Sequence, residues 1–143
     1  MSYMSGRTFV DTNILIYAHD RDAKRKHDVA KEALRKLWDE RSGILSMQVL
    51  QEFYVNVTRK IRTPLSKNLA RTVISDYIPW CVETTPAELS AAFRIEDESR
   101  IGFWDALIVA SAAKGGAWRI LSEDLASGQL ITGILIENPF VTA

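Results

Sequence analysis

The chain has few residues with thiol or imidazole side chains. Its 143 residues include one cysteine, Cys81, and two histidines, His19 and His27. A single cysteine cannot form an internal disulfide, so we expect Cys81 to be a buried structural thiol in a reducing cytoplasm. Both histidines lie in or beside charged segments, and we expect them at the surface without a catalytic role. These shortages disfavour a disulfide-stabilised secreted domain and a site built on paired histidines.

Long apolar runs and a net charge are also missing. No segment approaches the roughly 18 apolar residues of a membrane-spanning helix, and the N-terminal sequence MSYMSGR has no apolar signal core. The 18 Lys and Arg residues balance the 18 Asp and Glu residues, so nucleic-acid binding would depend on local basic patches. We therefore expect a cytoplasmic protein without a membrane partner. The length suits a single domain over residues 1–143.

Short apolar strands alternate with helical patterns along the chain. Strands are predicted at Thr8–Val10, Gly43–Ser46, Trp80–Glu83, Trp118–Leu121 and Ile134–Ile136. Helices are predicted at Lys24–Arg41, Met47–Lys60, Leu65–Ile78, Ala87–Ser99 and Trp104–Lys114. Strands this short and apolar are typical of a parallel sheet that is buried on both faces. The pattern therefore predicts an α/β fold with a central parallel sheet of about four to five strands, covered by helices on both sides.

Carboxylates from four separate segments fall on one edge of this predicted sheet. Asp11 follows the first strand, and Glu52 lies in the second turn of the helix after the second strand. Asp105 opens the helix at 104–114, and Asp124 follows the strand that ends at Leu121. In open α/β folds the carboxyl ends of the strands and the N-termini of the following helices share the edge that binds ligands. We expect the functional site there.

Each of these acids also has a structural explanation. Asp11 could cap a helix, Asp105 could favour a helix N-terminus, and Asp124 could be a first-turn acid after a capping Ser122. Glu52 lies off the apolar stripe of its helix, as a solvated glutamate would. Together, however, the acids would repel, because two unit charges about 4 Å apart cost ~4 kcal/mol at an effective dielectric near 20. Protons or a divalent cation would offset that repulsion, and oxygen ligands suit Mg²⁺ or Mn²⁺.

The sequence resembles the PIN-domain family, and more narrowly the VapC-type toxins of type II toxin–antitoxin pairs. The resemblance runs nearly from end to end and is carried by Val10-Asp11-Thr12-Asn13, Gln51-Glu52-Phe53, Trp104-Asp105-Ala106 and Leu121-Ser122-Glu123-Asp124-Leu125. It implies a PIN-like three-layer α/β/α fold and a Mg²⁺-dependent endoribonuclease in which Mn²⁺ could replace Mg²⁺. The implied catalytic acids are Asp11, Glu52, Asp105 and Asp124.

The same resemblance implies a role for each site residue. Asp11, Asp105 and Asp124 would coordinate the metal, directly or through water, while Glu52 would hold or deprotonate the attacking water. Asn13 and Ser122 would support these ligands, with Asn13 orienting Asp11 by hydrogen bonding. Some relatives carry a further Asp just beyond the position of Asp124, where this chain has Ala126 and Ser127. Binding of one metal ion and binding of two therefore both stay open.

The resemblance also implies partners: an RNA substrate, a cognate antitoxin protein and a second copy of the chain in a homodimer. Between Phe53 and Ser75 the chain carries basic residues and no acid, which predicts a phosphate-binding surface or a solvated face. These candidate RNA-binding residues are Arg59, Lys60, Arg62, Lys67 and Arg71. Trp104 could stack on a base or pack in the core. The alternative function is a non-catalytic PIN-like interaction module.

Overall fold

One sheet of six strands forms the centre of the part of the chain that the structure describes. The structure is a computed structural model that describes residues 6–141. The strands are β1 Arg7–Val10, β2 Gly43–Ser46, β3 Cys81–Val82, β4 Ala117–Leu121, β5 Leu130–Ile131 and β6 Ile134–Glu137. Their order is β3-β2-β1-β4-β6-β5, and every neighbouring pair is parallel except β5 with β6. The five predicted strands are all present.

The five parallel strands confirm the predicted parallel sheet of about four to five strands, while the antiparallel strand β5 was not predicted. This strand has only two residues and pairs antiparallel with β6 across the two-residue loop Thr132-Gly133. Both loop residues have positive φ, 47° and 80°, as a tight hairpin turn of the primed type requires. Two residues are too short a run to show the alternation by which a strand is recognised.

Within residues 6–141, six α-helices surround the sheet. They are α1 Thr12–Ala18, α2 Arg25–Glu40, α3 Met47–Arg59, α4 Lys67–Tyr77, α5 Pro86–Ser99 and α6 Phe103–Lys114, with 3-10 turns at Arg21–Ala23 and Ile78–Trp80. The five predicted helices are confirmed to within a few residues. The additional helix, α1, is only seven residues long and contains the apolar run Ile14-Leu15-Ile16, which does not show a helical period.

The helices form two groups, one for each face of the sheet. From β1 to β2 and on to β3 the chain moves in one direction across the sheet, and right-handed crossovers place α1 to α4 on one face. From β3 to β4 it moves back, which places α5 and α6 on the opposite face. Accordingly, α1 contacts α2 and α3, and α3 contacts α4, whereas α5 packs on α6. The predicted α/β/α arrangement in three layers is confirmed.

The return of the chain from β3 to β4 creates a switch point between β1 and β4. These two central strands are neighbours, but the chain continues from β1 towards one edge of the sheet and from β4 towards the other edge. Phe9 and Val10 of β1 and Ile120 of β4 are completely buried, so both strand ends are rigidly held. A crevice at the carboxyl ends of two such strands is the usual ligand-binding position in open α/β folds.

Two sequence-based expectations concern the ends of the chain and membranes. Residues 1–5 and 142–143 lie outside the described residues. The expected lack of a signal core and the outer limits of the predicted domain depend on these residues, so both stay predictions. Within residues 6–141, no helix is both long and apolar enough to cross a membrane.

Candidate active site

Asp11 is the first residue after β1 and is only 6% exposed. Its backbone N–H donates to the carbonyl of Leu121, at 3.0 Å, which ties the ends of β1 and β4 together. Its side chain accepts two hydrogen bonds at 2.7 Å, one from the backbone N–H of Thr12 and one from the hydroxyl of Ser122. Asp11 is therefore the N-cap of α1 and at the same time lines the crevice. Helix capping and a position in a functional site are compatible for this residue.

The loop after β4 is held by Ser122 and Asn13. Ser122 is completely buried, and its hydroxyl oxygen accepts from the backbone N–H groups of Asp124 and Leu125, at 3.2 and 3.4 Å. Asn13 accepts from the backbone N–H of Glu123, at 3.1 Å, and its amide group donates to Asp124 Oδ2, at 3.0 Å. The prediction that Asn13 orients Asp11 was wrong, because the side chain of Asn13 bonds to Asp124 and Ser122 bonds to Asp11.

Glu123, between these two site residues, has its side chain turned away from the crevice. Its carboxylate accepts a hydrogen bond from the hydroxyl of Tyr17 in α1, at 2.7 Å, and forms an ion pair with Lys26 in α2. The same lysine lies 5.1 Å from the centre of the Tyr17 ring. The loop that carries Ser122 and Asp124 is thus fixed to two helices as well as to β1.

Glu52 and Asp105 come from helices on opposite faces of the sheet. Ser46 ends β2 and caps α3, its hydroxyl accepting from the backbone N–H of Val49, so α3 begins directly at the sheet edge. One oxygen of the exposed Glu52 accepts a hydrogen bond from the hydroxyl of Thr12, at 2.8 Å. Asp105 lies in the first turn of α6 and is half-buried.

All four predicted acids line a single cavity of about 230 Å³. Its walls are Asp11, Thr12, Asn13 and Ile16 from the end of β1 and α1, Gln48, Glu52 and Asn56 from α3, Trp104, Asp105 and Ile108 from α6, and Asp124. The residues come from four segments between Asp11 and Asp124, which the parallel strand order brings to one edge of the sheet. Their chemical roles stay a prediction.

The charges in this cavity disturb one another. Burial raises the pKa of Asp11 to about 6 against the opposing hydrogen bonds from Ser122 and Thr12, and the charges of Asp124 and Asp105 raise it further. Burial also raises the pKa of Asp105, to which the charges of Asp124 and Glu52 contribute. A carboxylate at this position is therefore poorly solvated and surrounded by like charge, and a cation would stabilise it.

The carboxylates are not arranged around a common point. Among residues 6–141, no three His, Cys, Asp or Glu side chains have the spacing that would enclose a metal ion. Asp11, Asp124 and Glu52 each direct an oxygen to a protein donor, namely Ser122, Asn13 and Thr12 respectively. Direct coordination of one cation by Asp11, Asp105 and Asp124 together therefore requires side-chain rotation, or water between carboxylate and cation.

Trp104 and the candidate RNA-binding residues occupy different positions relative to the cavity. Trp104 is 64% exposed, so it does not pack in the core, and it lines the cavity. The candidate RNA-binding residues are exposed at the end of α3, in the following loop and on α4, outside the cavity lining; they are Arg59, Lys60, Arg62, Lys67 and Arg71. Their role in binding RNA stays a prediction.

The burial of the two histidines and of the cysteine differs from what the sequence predicted. His19 is half-buried, with its ring centre 5.4 Å from that of Phe53, and burial lowers its pKa to about 4. His27 is also half-buried, with Nδ1 2.9 Å from the carbonyl oxygen of Tyr17. Cys81 was expected to be a buried thiol and is only partly buried. Neither histidine lines the acidic cavity.

Sequence reasoning missed three polar residues of the cavity, Thr12, Gln48 and Asn56. Thr12 directly follows Asp11, and its hydroxyl determines the direction of Glu52. Gln48, Glu52 and Asn56 are spaced four residues apart along α3, so they share one face of that helix. This polar stripe, on the side of α3 away from the apolar residues, was the available signal for Gln48 and Asn56.

The fold and the site together define an open α/β protein with an acidic cavity at its switch point. A scan against protein-family models matches the PIN domain over residues 8–126. Because that match covers most of the chain, the protein belongs to the PIN domain family, whose members are in general nucleases.

Among solved structures, this chain is similar to a chain in the crystal structure of VapBC2 from Rickettsia felis bound to a DNA fragment from their promoter. The two chains share 19% sequence identity with a TM-score of 0.59, over 92% of this chain and 97% of the other. At that identity the likeness demonstrates a shared fold. No curated protein matches this sequence.

Proposed function

We propose that this protein is a divalent-metal-dependent endoribonuclease that acts as the toxin of a toxin–antitoxin pair. The observation that carries the proposal is the single cavity lined by Asp11, Glu52, Asp105 and Asp124 at the switch point of a PIN-domain fold. Such a cavity has oxygen donors, crowded negative charge and a rigid base, which are the properties of a site that binds a hard cation and directs phosphodiester hydrolysis.

The residues present fit a cation such as Mg²⁺, with Mn²⁺ as a possible substitute. The donors are all oxygens. The pKa of Asp11 is raised by burial and further by the charges of Asp124 and Asp105, and a cation would offset both effects. The cation would be held by Asp11, Asp105 and Asp124. Ser122 fixes the direction of the Asp11 side chain, and Asn13 fixes that of Asp124. A cation bound there would lower the pKa of a water molecule and neutralise charge on the phosphate.

The remaining residues would serve the substrate. Glu52 would orient the attacking water and accept its proton, because the hydroxyl of Thr12 fixes one carboxylate oxygen and leaves the other available. The exposed indole of Trp104 would stack on a base beside the cleaved bond. Arg59, Lys60, Arg62, Lys67 and Arg71 would bind phosphates farther along the RNA.

The toxin assignment rests on the resemblance of the four motifs to VapC-type toxins, supported by the fold shared with a chain of the VapBC2 structure. It includes a cognate antitoxin as protein partner, a homodimer as the assembled form and a cytoplasmic location, in a single domain spanning residues 1–143. The alternative is a PIN-like interaction module that does not use its acidic cavity.

Purified protein distinguishes these two functions. We expect wild-type protein to cleave RNA in Mg²⁺ and to lose cleavage in excess chelator. Asp11→Asn, Asp105→Asn and Asp124→Asn should each abolish cleavage and growth arrest on expression, while circular dichroism shows an intact fold. Asp97→Asn, an exposed acid on α5 outside the cavity, is the matched control and should cleave like wild type. Cleavage at the wild-type rate by an Asp variant would refute that residue's role, and lack of cleavage by wild type would favour the interaction module.

A further inference from the structure

Asp124 is the exposed one of the three predicted metal ligands, whereas Asp11 is buried. Within residues 6–141, the Asp124 carboxylate has one protein donor, the side-chain amide of Asn13, at 3.0 Å. Ser122 accepts from the backbone N–H of Asp124, at 3.2 Å, and donates its own proton to Asp11. Without the bond from Asn13, the Asp124 side chain would therefore be free to rotate towards solvent.

The side-chain amide of Asn13 connects Asp124 to the backbone of the preceding residue. Its oxygen accepts from the backbone N–H of Glu123, at 3.1 Å, while its nitrogen donates to Asp124 Oδ2. An amide group is planar, as in the peptide bond, so its oxygen and nitrogen move together. A shift of the Glu123 backbone would therefore turn the Asn13 amide and displace the Asp124 carboxylate.

The side chain of Glu123 is held on the other side of the loop by α1 and α2. Its carboxylate accepts from the hydroxyl of Tyr17, at 2.7 Å, and forms an ion pair with Lys26. The Lys26 ammonium lies 5.1 Å from the centre of the Tyr17 ring and 5.6 Å from that of the buried Phe140. An exposed ion pair alone contributes little, but here two aromatic rings order the lysine and a partly buried hydroxyl holds the carboxylate.

We propose that Glu123 is a positioning residue for the metal site: held outside the cavity by Tyr17 and Lys26, it keeps the Asp124 carboxylate directed into the cavity through Asn13. The inference rests on the proposed function, because it concerns a predicted metal ligand. It extends that function to three residues that do not line the cavity. The connection runs from the two donors to the Glu123 side chain, and from the Glu123 backbone N–H to the amide that holds Asp124.

Removing both partners of Glu123 tests this role. Tyr17→Phe keeps the packed ring and Lys26→Met keeps a side chain of similar length, so the double variant loses the contacts to the carboxylate and little packing. The matched control is the double variant Tyr54→Phe/Lys36→Met. It changes the same residue types on α3 and α2, outside the acidic cavity and outside the contacts of Glu123.

The side-chain amide of Asn13 reports on the connection without metal or RNA. In metal-free buffer, NMR would follow its Nδ2 protons, assigned by the loss of their signals in Asn13→Ala. In Tyr17→Phe/Lys26→Met these signals should shift towards those of a solvated amide and exchange faster with water, because the bond to Asp124 is weakened. The control variant should leave them unchanged. Unchanged signals in Tyr17→Phe/Lys26→Met would overturn the proposal.

Calorimetric titration with Mg²⁺ supplies the second measurement. Tyr17→Phe/Lys26→Met should bind Mg²⁺ about tenfold more weakly than wild type, the lower end of the loss expected for residues that orient metal ligands. Glu123→Ala should show the same loss, and combining the three substitutions should add nothing further, because each breaks the same connection. Lower stability in urea with unchanged Mg²⁺ affinity would show that these contacts only support the fold and would overturn the proposal.

These outcomes are distinct from those that decide the proposed function. If wild-type protein binds Mg²⁺ and cleaves RNA while Tyr17→Phe/Lys26→Met has the same Mg²⁺ affinity, the role of Glu123 is refuted and the nuclease function stands. If wild-type protein does not bind Mg²⁺, the nuclease function fails, and the Asn13 signals still decide whether Glu123 directs Asp124.

Discussion

Ser122 donates a hydrogen bond to Asp11 across 2.7 Å, between two residues that lie 111 positions apart in the chain. The same hydroxyl oxygen accepts from the backbone N–H of Asp124. One buried side chain therefore sets the direction of one predicted metal ligand and the backbone position of another. The two acids are mechanically connected before any ligand binds.

Ser122→Ala should weaken the site more than Ser122→Thr. Alanine leaves Asp11 without one donor and two backbone N–H groups without an acceptor, which should cost about 1–3 kcal/mol in the free energy of unfolding. Threonine keeps the hydroxyl and should retain most of the stability and of the Mg²⁺ affinity. Chemical denaturation and calorimetric titration with Mg²⁺ would measure the two effects. Equal Mg²⁺ affinity in the alanine variant and wild type would show that the bond does not position the ligands.

Stability should depend on pH through Asp11. Its pKa is about 6 in the folded protein and 3.8 by reference, so the folded state binds the proton more tightly. The resulting stabilisation is complete below pH 3.8 and is lost as pH rises through 6. Asp11→Asn has no carboxyl group to titrate, so it cannot lose this stabilisation. As pH rises from 3.8 through 6, the variant's free energy of unfolding should therefore increase relative to that of wild type, by about 3 kcal/mol at most.

Urea denaturation of wild type and Asp11→Asn at a series of pH values, without divalent cations, measures this difference. Comparing the two proteins cancels the contributions of acids that they share. Asp97→Asn serves as the control and should follow wild type. A difference between Asp11→Asn and wild type that does not change with pH would contradict the raised pKa of Asp11.

Mg²⁺ or Mn²⁺ should raise the melting temperature of the wild-type protein. A ligand that binds only the folded state stabilises it by RT ln(1 + [L]/Kd), which is about 2.7 kcal/mol at 100 times Kd. The effect should vanish in the double variant Asp11→Asn/Asp105→Asn and persist in Asp97→Asn. Differential scanning fluorimetry over a range of Mg²⁺ concentrations measures it. The same shift in the double variant would place the cation elsewhere on the protein.

The cleavage products should carry a 5′-phosphate and a 3′-hydroxyl. Attack by an activated 2′-hydroxyl would leave a cyclic phosphate and commonly uses paired histidines, but His19 and His27 do not line the cavity. Carboxylates that bind a cation would instead direct water in line at phosphorus. Mass spectrometry of the product ends distinguishes the two reactions.

At saturating RNA, replacing the 2′-hydroxyl beside the cleaved bond by hydrogen should not prevent cleavage. A 2′,3′-cyclic phosphate product, or complete activity in excess chelator, would exclude metal-dependent hydrolysis.

The order of elements and the edge on which the acids lie could be predicted from the sequence. Parallel strands and their crossover helices follow from the alternation of short apolar runs with amphipathic segments. That topology places Asp11, Glu52, Asp105 and Asp124 near one another whatever their side chains do. The short elements α1 and β5 could not be predicted, because seven and two residues are too few to show a period.

The hydrogen-bond partners within the site were decided only by the tertiary structure. The sequence placed Asn13 beside Asp11, but the structure pairs Asn13 with Asp124 and pairs Ser122 with Asp11. Periodicity described Glu52 as solvated, and it is exposed, yet it also lines the cavity because Thr12 binds it from 40 residues away. His19 is half-buried because Phe53 and Tyr77 of other helices pack against it. A sequence pattern records spacing along one element, whereas a hydrogen bond depends on strand register and side-chain rotamers, which are set when the elements pack together.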